Sequence, residues 1–179
     1  TGDVFEKVVT AKRQDIILSS AENALSLEGV SEYENVISIT YDDLSFGTAL
    51  NALVIPEGIG DKEHGEQNLI VTVEKDGFEH VITVPVTIVD AVLTAENLKE
   101  NIQSNDATKV LNEGKYFILT DNIDASDIDW KASANWGNEK DEDGKAIETG
   151  FKGSLDGRGF TVENLNIASG VPGIFNYTN

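Results

Sequence analysis

The chain has 179 residues, 40% of them hydrophobic, with 32 acidic against 13 basic side chains and no cysteine. That is enough apolar material for one large or two small cored domains, and it argues against disorder along the whole length. A formal net charge of -19 repels phosphate backbones and anionic bilayer surfaces, which excludes nucleic acid as a partner, while the missing thiols exclude disulfides, cysteine-ligated zinc and thiol catalysis.

The acidity belongs to both halves, residues 1–90 carrying a net charge of -12 and residues 91–179 one of -7. No apolar run approaches the roughly 18 residues of a bilayer-spanning helix, so no membrane insertion is expected within this chain. The opening Thr1-Gly2-Asp3 has neither the basic start nor the apolar core of a signal peptide, and the sequence is read as a processed or cloned segment.

Residues 1–92 read as short strands broken by turns, the pattern of an immunoglobulin-like or cadherin-like β-sandwich. Candidate strands are 15–19, 36–41 with Ile37, Ile39 and Tyr41 on one face, and 50–55. Residues 56–67, with Gly58, Gly60 and Gly65, predict a long polar loop that includes His64. The clearest element is a hairpin. Leu69, Val71 and Val73 alternate with polar residues, Asp76-Gly77 supplies the turn, and Phe78, His80, Ile82, Val84, Val86 and Ile88 alternate on the return. Pro85 has no N–H to give to a ladder and predicts an edge or a bulge.

Around Val92 the pattern changes, and the domain boundary is expected there, giving 1–92 and 93–179. Leu98 and Ile102 stand four apart behind Thr94, a capping residue type, which predicts a short amphipathic helix. Further on, Gly153, Gly157 and Gly159 offer positive φ around a turn centred on residues 155–159, after which Phe160 and Val162, then Leu165 and Ile167, alternate with polar neighbours. Two short strands joined by a bend are expected, with Phe151, Phe160 and Phe175 in the core. A unit of this kind has too little apolar surface to stand alone and must stack on similar units, as one rung of a β-solenoid, with the helix covering the exposed first rung.

The order Tyr116 to Asp124, then Trp136-Gly137, then Phe151 to Ile167, and finally Gly173-Ile174-Phe175 resembles the opening of right-handed β-helix regions in bacterial surface proteins, including those that carry the GLUG motif. Gly-Ile-Phe here stands in place of that motif's Gly-Leu-Phe. The resemblance spans roughly residues 93 to 175 and implies a fold and a cell-surface habitat; it brings no catalytic residues. One or two rungs are few for a solenoid. The helix-capped β-helix start is therefore expected to be truncated, the other outcomes being a compact β-roll or pairing with another chain.

Candidate chemistry is sparse. Asp121, Asp124, Asp127 and Asp129 offer oxygen ligands at loop spacing, and Asp141 and Asp143 lie in an acidic run before Gly144. Calcium is the cofactor such residues would take, yet neither set completes a calcium-loop pattern, and solvated turns account for them as well. Trp130 and Trp136 are candidate ligand contacts, as stacking surfaces for a glycan, or else core residues. Two histidines, His64 and His80, are too few and too isolated for a zinc motif, and no nucleophile elbow or phosphate-binding glycine loop occurs.

The expectation is a non-catalytic bacterial protein segment, extracellular or attached to the outer surface, with an adhesin-like or scaffold role and a glycan or a host or bacterial surface protein as partner. The alternatives are an accessory N-terminal part of a carbohydrate-active β-helix enzyme and a calcium-stabilised adhesion module.

Overall fold

The alternation between Leu69 and Ile88 organises the first of two units. The computed structural model describes residues 5–8, 12–27, 35–102, 110–128, 130–131 and 150–168. In it the chain is mainly β, with mixed sheets that do not close on themselves, and it divides into Thr1–Asp90 and Ala91–Asn179. Val92, expected at the end of the first half, belongs to the second.

Six strands form the sheet of the first unit: β1 (Phe5–Val8), β2 (Gln14–Ile17), β3 (Asn35–Tyr41), β4 (Leu44–Ser45), β5 (Gly65–Lys75) and β6 (Phe78–Val89). Their order is β1-β6-β5-β3-β4, with β2 also on β6. Asp76 and Gly77 both take positive φ, 53° and 77°, the geometry of a two-residue hairpin turn, so Lys75 faces Phe78 and the register runs back to Gly65 opposite Ile88. Leu69, Val71, Val73, Val84, Val86 and Ile88 are fully buried. Ile16, Ile39, Phe46, Leu53 and Ile59 close over them.

β1 and β2 both run parallel to β6, the first along 80–83 and the second along 86–89. Pro85 therefore sits inside a strand with partners on both sides rather than at an edge. It falls opposite the gap between β1 and β2, where a missing N–H costs the ladder nothing. The Arg13 guanidinium, just before β2, donates to the Val86 carbonyl at 2.7 Å.

Two further expectations for this unit change. Ile37 does not share a face with Ile39 and Tyr41: the register slips between Val36 opposite Val73 and Ser38 opposite Thr72. That bulge turns Ile37 outward, 39% exposed, and sends Val36 to the core instead. Residues 50–55 form no strand. They run alongside 23–25 through Leu25 N–H to Leu50 O (2.7 Å) and Leu53 N–H to Asn23 O (2.8 Å). The Asn23 side chain is itself buried, accepting from Ile17 N–H and donating to the Ile17 and Ser20 carbonyls.

The second unit contains β7 (Ala91–Val92), helix α1 (Leu98–Ile102), and then β8 (Val110–Leu111), β9 (Tyr116–Ile118), β10 (Ile123–Asp124), β11 (Trp130–Lys131), β12 (Gly150–Phe151), β13 (Ser154–Asp156), β14 (Val162–Glu163) and β15 (Ile167–Ala168). Every pairing among them is parallel. Val110 meets Gly150, Tyr116 meets Ser154, Ile123 meets Val162 and Trp130 meets Ile167, so each strand of 110–131 takes a partner 37 to 40 residues later. β7 adds a third layer, Ala91 facing Phe117.

Leu98 and Ile102 of α1 are buried with Leu93, Phe117, Leu119, Ile123, Trp130 and Phe151. The side chain that closes the helix start is Asn97, not Thr94: Asn97 Oδ1 accepts the Thr94 N–H at 2.8 Å, the return half of a capping box. The glycine turn is displaced as well. Ser154–Asp156 is strand, and the bend is 157–160, closed by Phe160 N–H to Gly157 O (2.7 Å) with Arg158 and Gly159 both at positive φ. Phe160, expected in the core, is 38% exposed because it closes this bend before β14 begins. Phe175 lies outside the described residues.

Candidate functional site

Among the described residues, three places hold the polar or aromatic groups considered first for a site: the chain around β10, the core around Trp130, and the segment leading into β5. Around β10, Asp121 just before the strand, Asp124 at its end and Asp127 after it are all exposed. Asp121 Oδ1 accepts the Asn122 N–H, and Asp124 Oδ1 accepts both the Ser126 N–H at 3.0 Å and the Asn164 amide at 3.1 Å. The Asn164 hydrogen bond, then the backbone bond from Ser126, hold the Asp124 carboxyl below its ordinary value of 3.8. Asn122 Oδ1 likewise accepts the Thr161 N–H at 2.9 Å. These side chains tie one turn of chain to the next and bridge their own bends.

Among the described residues no three His, Asp or Glu side chains gather as a metal-holding group. Asp129, Asp141, Asp143 and Trp136 lie outside the described residues. Trp130 is 2% exposed inside the second core. Its indole has no face turned to solvent, so a glycan approaching from outside has no stacking surface there. Nearby, the Phe117 and Phe151 rings meet at 5.9 Å and 42°, a tilted aromatic pair that packs one layer on the next.

An open concavity in the first unit is lined by Ala21, Glu22, Asn23, Ala24, Asn51, Ala52 and Leu53. Its one buried amide, on Asn23, is already used by Ile17 and Ser20. Apolar side chains, the Asn51 amide and the exposed Glu22 carboxylate form the rest, and among these lining residues no second acid or base accompanies Glu22 for proton transfer.

The residue that sequence reasoning misplaced is His64. Expected in a polar loop, it is buried, with Nδ1 2.6 Å from Asp90 Oδ2 and Nε2 3.0 Å from the Ile59 carbonyl. Close by, the Tyr41 hydroxyl donates to the Glu63 carbonyl at 2.9 Å. Burial first, then the charges of Asp42 and Glu63, push that phenol above its ordinary value of 10.0, so it stays a donor. A His–Asp pair orients the imidazole in acyl-transfer triads, but there the far nitrogen faces a nucleophile. Here it faces a backbone oxygen. No signal in the sequence joins His64 to Asp90, 26 positions apart; their pairing follows from β5 and β6 running antiparallel between them.

Comparison of the chain with protein-family models, with curated proteins and with solved structures returns no match.

Proposed function

We propose that the chain is a non-catalytic segment of a bacterial cell-surface or secreted protein, in which an immunoglobulin-like sandwich leads into the helix-capped start of a right-handed β-helix. The observation that carries this reading is the parallel register of 110–131 with 150–168, strand for strand, at a nearly constant offset of 37 to 40 residues. Such an offset is what one coil laid on another produces. The right hand follows from the strong preference of parallel crossovers.

The first unit supports the other half of the proposal. The order β4-β3-β5-β6, linked by hairpins at β3-β4 and β5-β6, follows the C′-C-F-G sheet of immunoglobulin-like domains. The backbone bonds between 23–25 and 50–53 add support, since strands B and E are neighbours in that fold.

Coils that stack by parallel register present broad side faces, which suits display, adhesion or scaffolding. A glycan or a surface protein of a host or bacterial cell is the partner such an element would meet. An antibody raised against the chain, applied to intact and lysed cells of the source bacterium and to spent medium, tests the habitat. Signal on intact cells or in the medium is expected; signal confined to lysed cells would refute the proposal.

A further inference from the structure

The His64 side chain is 3% exposed, and that of its partner Asp90 14%. The ring touches an acceptor at each end: Asp90 Oδ2 at 2.6 Å on Nδ1 and Ile59 O at 3.0 Å on Nε2. A backbone carbonyl has no proton to give, and neither has an ionised carboxylate. A neutral imidazole carries one N–H and can satisfy one of the two; both bonds form together only when the ring carries two protons, or when the Asp90 carboxyl holds the second and donates it to Nδ1. In either arrangement the pair binds one proton more than a neutral imidazole beside a carboxylate.

We propose that His64 and Asp90 form a proton-dependent latch that clamps the turn Ile59–Asp61 to the end of β6. The turn reads as a lid over the core: Ile59 is buried in it, and the Ile59 carbonyl that meets His64 also accepts the Lys62 N–H at 3.0 Å. When the extra proton leaves, the neutral ring keeps its hydrogen on the nitrogen facing the carboxylate. The Nε2 lone pair then points at the Ile59 oxygen and repels it, inside a site with little water to intervene. The turn moves off, and Lys62 loses its acceptor's fixed position.

Among the described residues, several groups on flanking elements have partners of their own. β3 contributes Tyr41, which donates to the Glu63 carbonyl; the β3-β4 turn contributes Asp42 and Asp43, both paired to the Lys62 ammonium; β5 contributes Gln67, whose amide reaches the His64 carbonyl at 3.5 Å, and Glu66, paired to Arg13. Asp90 is the carboxylate on the ring itself. The sign follows from the geometry: both hydrogen bonds exist together only while the pair holds that proton, so the latch is closed at lower pH and opens as pH rises and the proton leaves.

Nitrogen-15 spectra of the histidine rings in the whole chain, recorded across pH, test this, with His80→Gln assigning the remaining signals to His64. Two protonated His64 nitrogens, or one together with a carboxyl proton on Asp90, are expected at the low end of the folded range. At the pH where that proton leaves, the Lys62 amide should exchange about tenfold faster than base catalysis alone explains, as loss of a charge-assisted hydrogen bond supports. The melting midpoint should fall through the same window, and less so in His64→Gln. A pair that never holds the extra proton while folded, or a Lys62 amide indifferent to its loss, would overturn the latch; the wild-type spectra decide even where the variant fails to fold.

Discussion

Gly153 passes so close to Asn112 that a Cβ at this position would lie 2.9 Å from the Asn112 carbonyl oxygen, with the Lys115 oxygen at 3.1 Å and the Phe151 ring at 2.8 Å. Two of these three are backbone atoms, which cannot step aside. The glycine is needed for close approach between layers, not for an unusual φ. Gly153→Ala is expected to destabilise the second unit by about 1–3 kcal/mol, as overpacking does. Gly157→Ala is the control: its Cβ would meet the Phe160 oxygen at an ordinary 3.6 Å, and a change within about 0.5 kcal/mol is expected. Chemical denaturation of the two variants side by side checks the contrast.

The bulge at Ile37 reverses what simple alternation implies about β3. Ile37→Thr should leave stability within about 0.5 kcal/mol of the parent, since the side chain is already turned outward. Val36→Ser removes a methyl pair packed on the core and should cost about 1 kcal/mol or more. Equal costs, or the opposite order, would place the extra residue elsewhere in the strand.

Trp130 anchors the second core, and Trp130→Ala should cost about 3–5 kcal/mol. In a Trp136→Phe background the emission comes from Trp130 alone. Acrylamide should quench it poorly until the chain unfolds; free quenching in the folded state would show an indole open to solvent and to ligands.

Much of this architecture could be read before any coordinates were known, and the parts that could not share a cause. The β5-β6 hairpin was legible because Asp76-Gly77 and two alternating runs specify it locally. The helix at Leu98–Ile102 was legible through one spaced apolar pair. By contrast, the bulge at Ile37 depends on a slip against β5 far away in sequence, and the exchange of strand for turn at 154–156 depends on Tyr116–Ile118 lying alongside. Residues 50–55 have the composition of a strand but spend their backbone bonds on 23–25. The candidate ligand residues followed composition, which tells acid from apolar but not whether a carboxylate will be taken by Ser126 and Asn164 or an indole enclosed by Phe117 and Phe151. His64 is the same case in reverse: a polar loop by composition, a buried pair by topology.

Asp124 gives a pH prediction with a defined sign. Its carboxyl is held below the ordinary 3.8, first by the Asn164 amide and then by Ser126. The linked stability is thus present above the unfolded value and lost as pH falls through the lower, folded one. Asn164→Ala should move the Asp124 titration, followed by carbonyl carbon NMR, upward toward 3.8. An unchanged midpoint would mean that the bond between the two turns does not form in solution.

The central claim is that residues 110–131 and 150–168 lie side by side as successive coils. Scalar couplings across hydrogen bonds read this directly without altering a residue. Correlations are expected from the Ile123 amide to the Thr161 carbonyl, Ala125 to Glu163, Leu119 to Asp156 and Ser154 to Lys115. Amides that couple instead to carbonyls within their own segment, or to strands of the first unit, would contradict the account.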